Sequence, residues 1–451
     1  MGRIGIVSLA LALFVVWVSF CQAGDGAQGA AQQNAGADAA ALAGIKSQIE
    51  TLKADYEKRI KDLEAQVEAL QLQMLRNAPE TPAAASAAPQ AGASGVQSIL
   101  GALNPAMTVV GNFVARGDSR KVFNGSGNRI DNKLSLRETE LDLRAAIDPY
   151  ADGVVIASIA SDSPGSYSAT VEEAYVTIKK LPFQDRPPLG LKLKIGRFHP
   201  SFGASNIVHT HDLPQTFRSL PVQEFLGEDG FTQNGISGTF FVPTPWDKSS
   251  SLEATLQVLA GGDVAFSPDP ASRMAYLGHL TWFRTFKDSH NLQVGWSSYF
   301  HPAGNRMSEA DFHGIDFSYR WKPARLGEWK SFLLSSEVLF ARHAAQGSAG
   351  ADAGVGQGRP AGFSFFGQWQ FNRRWYAGAR WDRTDVVDSP TLTRRSLTPY
   401  FSYYFSEFLR FRLNYEQRWS DLSSENRRKS VFAELNFVFG SHPTEPYWVN
   451  K

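Results

Sequence analysis

The chain has 451 residues, 43% of them hydrophobic and 12% aromatic, with 45 basic against 44 acidic side chains and a formal net charge of +1. This near-neutral balance excludes the basic excess of a nucleic-acid-binding surface, so no nucleic-acid partner is expected. Only one apolar run approaches the length of a membrane helix, which excludes a helical membrane bundle.

That run, Ile4 to Phe20, follows the positive charge of Arg3 and precedes Cys21-Gln22-Ala23. A short apolar core closed by small residues predicts a secretory signal peptide over residues 1–23, cleaved after Ala23. The other reading is an uncleaved anchor, against which the polar Gly24-Asp25 argues. Cys21 is the chain's single cysteine, and bulky Phe20 ahead of it argues against lipidation. The mature chain then needs no disulfide and offers no thiolate metal ligand.

Residues 24–40, rich in Ala, Gly and Gln, form an expected flexible segment. Across residues 41–76, Leu42, Ile45, Ile49, Leu52, Tyr56, Ile60, Leu63, Val67, Leu70 and Met74 recur in steps of three and four, with a four-residue stutter at Tyr56 to Ile60. Charged residues fill the outer positions. A helix this short is marginal alone, so the pattern predicts an oligomeric coiled coil; a single amphipathic helix lying on another surface is the alternative. Residues 77–96 form an Ala/Pro/Ser linker without periodicity.

From residue 105 to 440 the chain is a succession of short runs alternating at period two. Leu141, Leu143, Ala145 and Ile147 oppose Glu140, Asp142, Arg144 and Asp148, and Leu409, Phe411, Leu413 and Tyr415 oppose Arg410, Arg412, Asn414, Glu416 and Arg418. The run Val431 to Phe439 sets Val431, Ala433, Leu435, Phe437 and Phe439 against Glu434 and Asn436. Such strands need water on one side and an apolar medium on the other.

About sixteen strands are expected. They begin near residues 107, 138, 153, 171, 191, 235, 252, 275, 291, 311, 331, 362, 375, 397, 409 and 430. Short connections (148–152, 287–291, 372–374, 406–408) alternate with long ones (117–137, 199–234, 343–360, 419–429). A soluble sandwich has no reason for that asymmetry, whereas an outer-membrane barrel with short periplasmic turns and longer outer loops does. Trp282, Phe286, Trp369, Trp375, Tyr376, Trp381, Tyr403, Phe405 and Phe408 near strand ends suit interfacial girdles. The expected fold is therefore an all-β membrane protein, an antiparallel transmembrane β-barrel of about sixteen strands preceded by an N-terminal α-helical coiled coil. Residues 441–451 form a C-terminal tail.

A barrel of this size leaves room for an aqueous lumen. The faces assigned inward carry both signs, making Glu140, Asp142, Arg144, Lys192, Lys194, Glu253, Arg380, Asp382, Arg410, Arg412 and Arg418 candidate pore-lining residues. They either bias ion passage, with Arg410, Arg412 and Arg418 as an anion-attracting wall, or neutralise one another. The stretch after Phe198 is the longest between two clear strands, and a loop this long is usually functional, here as a constriction. It gathers His199, His209, His211 and Asp212, with Glu224, Glu228 and Asp229 nearby, a donor set that suits Zn²⁺ or a similar ion. The alternative is histidines that only hydrogen-bond. No other cofactor is expected. Neither GxSxG, a Walker loop nor HExxH occurs, and no enzyme activity is expected.

The run Leu193-Lys-Ile-Gly-Arg-Phe-His-Pro-Ser-Phe-Gly203 resembles the strand-plus-loop of porins of the phosphate-selective type. The block holding His209-Thr-His211-Asp-Leu-Pro214 and Phe225-Leu-Gly-Glu-Asp-Gly230 resembles proteins known as zinc-regulated TonB-dependent outer-membrane receptors. Such receptors carry a globular plug ahead of about 22 strands; this chain departs from that plan, with a helix and linker ahead of a smaller barrel. The porin resemblance implies passive diffusion of small hydrophilic solutes or ions through a barrel in outer-membrane lipid. It also implies homo-oligomers, trimers foremost, with the helix in the periplasm, where it can contact the cell wall. Two further readings stand beside it: metal acquisition through the His-rich loop, and a structural barrel anchoring a wall-tethering helix.

Overall fold

The computed structural model describes residues 106–122, 133–163, 166–181, 186–245, 247, 249–261, 273–302, 310–327, 329–343, 359–387, 389–421 and 427–440. The expected signal segment, flexible segment, helix, linker and C-terminal tail lie outside these residues.

Among the described residues there are sixteen strands. The first eight are β1 (Ala106–Asp118), β2 (Leu134–Asp148), β3 (Ala151–Ser163), β4 (Ser166–Ile178), β5 (Lys192–Phe198), β6 (Gln233–Val242), β7 (Ser250–Leu259) and β8 (Ala275–Phe286). The others are β9 (His290–His301), β10 (Ala310–Trp321), β11 (Ser331–His343), β12 (Ala361–Gln370), β13 (Trp375–Val386), β14 (Ser389–Ser406), β15 (Leu409–Ser420) and β16 (Arg428–Gly440). Each pairs antiparallel with its chain neighbours, and β16 closes on β1 with Val110 opposite Val438 and Phe113 opposite Leu435. Closure leaves no sheet edge, the condition for a β-structure to sit in lipid.

The period-two alternation places residues as the sequence predicts. On β16, Val431, Leu435, Phe437 and Phe439 are exposed on the outer wall, while Glu434 and Asn436 are buried within. Ile195, Leu256, Trp296, Phe365 and Leu413 continue this exposed apolar surface around the barrel. Buried Glu140, Asp316, Glu337, Arg380, Arg412 and Glu416 face the lumen.

Three details differ from expectation. Strand β14 begins at Ser389 rather than near 397, because Ser389-Pro-Thr-Leu-Thr carries no clear alternation yet still pairs with β13 across a register shift at Asp385/Val386. The alternation of short and long connections is imperfect: two residues, 164–165, link β3 to β4 at the end remote from the termini, and thirteen, 179–191, link β4 to β5 at the terminal end. Tyr376 is no girdle residue, since it is buried inside against Tyr404, ring centroids 5.2 Å apart. Phe432, in phase with Glu434 and Asn436, points inward as the alternation requires and meets an aromatic partner in the lumen.

Candidate functional site

Residues 199–232 leave β5 at the end remote from the termini and fold back into the barrel. The turn inward passes through Gly203, whose φ of +62° suits glycine and where a Cβ would overlap the Glu337 carboxylate. Within the segment a short helix, α1 (Leu220–Leu226), starts with Pro221 in its first turn and stops at Gly227, φ +97°. It buries Leu220, Val222, Phe225 and Leu226.

One side of the segment is apolar. Phe202, Val222, Phe225, Leu226 and Phe231 join one buried cluster with Leu259, Leu277, Tyr299, Phe312 and Leu339, which point inward from β7 to β11. Phe202 packs on Phe312 with ring centroids 4.8 Å apart, and Phe312 on Tyr299 at 4.6 Å. The inward faces of these strands thus turn from polar to apolar at the remote mouth, where the segment covers them.

The opposite side is held by charge. A segment with no ladder partner leaves backbone carbonyls to be satisfied, and guanidinium groups from the wall do this. Arg410 donates to the His211 carbonyl, Arg412 to the Leu213 carbonyl, and Arg380 to the Phe217 carbonyl at 2.7 Å. Glu434, 0% exposed, pairs with Arg412 at 3.3 Å and Arg410 at 3.4 Å and accepts from Asn112 at 3.0 Å. Asp382 pairs with Arg380 at 2.9 Å and accepts the Leu220 N–H at 3.3 Å. Phe217 rests on Phe432 at 4.9 Å, giving that inward ring its aromatic partner. Inside the segment, Arg218 donates to the carbonyls of Ser205 and Val208, both at 2.6 Å. A cavity of about 50 Å³, lined by Ala204, Gln215, Arg218, Glu337 and Arg380 among others, remains between segment and wall.

Between these two holds lies a cluster of histidines and glutamates. His209-Thr210-His211-Asp212 forms a 3₁₀ turn, so a turn and not an extended run brings His209 and His211 together, rings 5.8 Å apart. His209 Nδ1 lies 2.8 Å from Glu140 and 3.2 Å from Glu172, and its Nε2 lies 3.4 Å from Glu173. His211 Nδ1 lies 3.0 Å from Glu140. His199 stands edge-on to His209 at 5.2 Å, and its Nδ1 donates to the Phe231 carbonyl at 3.2 Å.

Burial and charge act in opposite senses on these rings. For His209 the desolvation of the charged form is outweighed by Glu140, Glu172 and Glu173, which hold it well above the ordinary histidine value. For His211 burial is likewise overcome, by Glu140 and Asp212, which bring it to about 9. Burial wins at His199, helped by the neighbouring His209, and pushes it down to about 4.

Of the residues singled out in the sequence, the structure brings Glu140, Arg380, Asp382, Arg410 and Arg412 against the lumen segment. Arg418 pairs with Glu416 at 3.0 Å, as does Arg428 at 3.2 Å. Arg144 bridges Asp142 at 2.8 Å, Lys194 lies 4.2 Å from the centre of the Tyr175 ring, Lys192 is exposed, and Glu253 is half-buried. The Asp212 carboxylate lies on the far side of His211, at 3.5 Å, and Glu224 is drawn away to Arg394. Sequence reasoning missed Glu172 and Glu173 as partners of the histidines. Their adjacency on β4 was visible, but nothing local ties them to a loop some thirty residues on.

No family model matches the chain. An uncharacterized protein of Aquifex aeolicus (strain VF5) is 26% identical over 354 residues, covering 70% of each chain. Solved structures with a similar fold include the outer-membrane channel DcaP of Acinetobacter baumannii (8% identity, 74% of this chain and 97% of that one, TM-score 0.49). An anion-selective porin from Comamonas acidovorans (8%, 74% and 99%, 0.48) and OprB of Pseudomonas putida (11%, 77% and 96%, 0.47) are similar at the same level. These neighbours are outer-membrane channels and porins, and this chain is a closed sixteen-stranded barrel, as the porin-type resemblance implies. The barrel assignment itself rests on the strand order and its closure.

Proposed function

We propose that the protein is an outer-membrane porin through which small hydrophilic solutes and ions diffuse passively, with residues 199–232 setting the constriction. The observation that carries this reading is the pairing of an apolar outer wall with a charged lumen into which one long segment is folded. Such an arrangement fits a channel wall better than a catalytic cleft. The lumen charges are largely committed to partners: Arg410 and Arg412 to Glu434, Arg380 to Asp382, Arg418 and Arg428 to Glu416, with the excess of guanidinium groups opposed by Glu140, Glu172 and Glu173 on β2 and β4. That supports weak ion selectivity in preference to an anion-attracting wall.

Residues 1–23 act as the export signal in this reading. The helix of residues 41–76 self-associates in the periplasm, giving a trimer; comparing the mass of the full chain in detergent with that of a chain lacking 41–76 tests this.

The decisive experiment is single-channel recording of the purified protein in a planar bilayer under a salt gradient. Stepwise, long-lived openings with a reversal potential near zero are expected. A strong reversal potential of either sign would overturn weak selectivity, and a folded barrel that never conducts would overturn the channel reading itself.

A further inference from the structure

The histidine–glutamate cluster has the composition and geometry of a metal site. Glu172, His199 and His209 each offer a ligand atom, all within 4.8 Å of one another; Glu138, Glu140 and Glu172 form a second such group, sharing Glu172. These residues come from β2, β4 and the lumen segment, so the cluster exists only where the segment meets the wall.

A tetrahedral site with bonds of about 2.0–2.1 Å sets its ligand atoms about 3.3 Å apart. His209 Nδ1 already stands 2.8 Å from Glu140 Oε1 and 3.2 Å from Glu172 Oε2. The ring's other nitrogen faces Glu173 at 3.4 Å, the outer carboxylate that metal-bound histidines usually have. His199 is oriented in the same way. The Phe231 carbonyl can only accept a hydrogen bond, so Nδ1 carries the proton and Nε2 is the nitrogen left to offer a lone pair. Glu173 steadies it by accepting the His199 backbone N–H at 2.9 Å.

The cluster is also incompletely satisfied. Glu140 Oε1 and His211 Nδ1 are buried and make no hydrogen bond among the described residues, although opposite charges lie close by. Buried polar groups are seldom left so. Four carboxylates, Glu138, Glu140, Glu172 and Glu173, are gathered there, and a divalent ion would supply both the charge and the missing bonds.

We propose that this cluster binds one divalent first-row transition ion of the zinc class, with His199, His209 and Glu172 as ligands, Glu140 turning in from beside Glu172 and His209 as the fourth, and Glu173 and the Phe231 carbonyl as the outer partners of the His209 and His199 rings. The ion staples the lumen segment to β2 and β4. Mixed imidazole and carboxylate donors favour Zn²⁺ or Co²⁺ over Ca²⁺ or Mg²⁺, which take oxygen ligands. The inference depends on the segment's position in the lumen and not on whether the barrel conducts.

The test uses the purified chelator-treated protein in detergent, its folded state checked by the heat-dependent shift in electrophoretic mobility. Calorimetric titration with Zn²⁺ is expected to saturate at one ion per chain, and Co²⁺ to give visible absorption bands that Zn²⁺ abolishes and Ca²⁺ does not. Losing an outer-shell partner costs roughly 10–100-fold in affinity, so His199→Ala and His209→Ala should each lose at least about that, while His290→Ala on β9 changes nothing. Glu172→Gln, closest to the native shape, gives the same readout should a histidine variant fail to fold. The proposal is overturned if the folded wild type shows no saturable Zn²⁺ binding, if Ca²⁺ displaces Co²⁺, or if binding survives these substitutions. A conducting barrel that binds no Zn²⁺ would sink this proposal and leave the porin reading standing.

Discussion

The two walls that grip the lumen segment do so by different physics. From β7 to β11 the grip is apolar: Phe202, Phe225 and Phe231 against Tyr299, Phe312 and Leu339, with no orientation demanded beyond close packing. From β13 round to β2 it is polar and directional: Arg380, Arg410 and Arg412 reach named backbone carbonyls while Asp382 and Glu434 neutralise them. The apolar wall gains by excluding water, and any segment of suitable volume would serve it. The charged wall specifies one path of the backbone, because a misplaced carbonyl leaves a buried guanidinium unsatisfied. One wall supplies adhesion and the other supplies register.

The largest effect is expected from removing what both walls hold. Replacing residues 200–231 by a short Gly/Ser link should raise single-channel conductance several-fold with the barrel intact; unchanged conductance would mean that the segment does not set the constriction. Next comes the charged wall. Glu434→Ala strands Arg410 and Arg412 without their buried counter-charge, at a cost of about 3–5 kcal/mol in urea unfolding of vesicle-embedded protein. A loss below about 1 kcal/mol would show that loop carbonyls alone suffice for those guanidinium groups.

On the apolar wall, Phe312→Ala should cost about 3 kcal/mol, the lower end for a buried Phe, because the lumen side can relax around the void. It should loosen the segment without changing its path, which hydrogen exchange at the amides of residues 220–226 would report as faster exchange. If Phe312→Ala redirects the segment and Glu434→Ala does not, the assignment of adhesion and register is reversed. The smallest effect belongs outside both walls: the exposed Lys179–Asp152 bridge, 2.7 Å, should lose less than about 1 kcal/mol on Asp152→Asn, in the same unfolding assay.

Much of the barrel was legible from residue order. Fifteen of the sixteen strands begin within about five residues of the position that period-two alternation predicts; β14 is the exception, and its first residues read Ser-Pro-Thr-Leu-Thr. Inward and outward faces were legible for the same reason: Leu413 and Arg412 are neighbours in the chain and point to opposite media. Phe432 and Tyr376 obey the same alternation and face inward against Phe217 and Tyr404, so it was the placing of Tyr376 in a girdle, by residue type alone, that failed. The histidines were visible as a group, but their partners were not. Glu140 looked like one more wall charge, and Glu172 and Glu173 drew no attention, because the contact with His209 crosses tens of residues and depends on how far the segment descends.

The amino-acid sequence by itself determined the approximate strand count, the face each strand turns outward and the presence of one long, histidine-bearing segment. These follow from alternation and turn chemistry, which act over a few residues. Only the tertiary structure decided that this segment folds back against the inner wall, that Arg410 and Arg412 hold carbonyls 199 residues away instead of standing free, and that three histidines meet glutamates of β2 and β4. The physical reason is closure: until the barrel forms, the lumen does not exist, and which polar groups must satisfy one another inside it is settled by the distance across the barrel and not by distance along the chain.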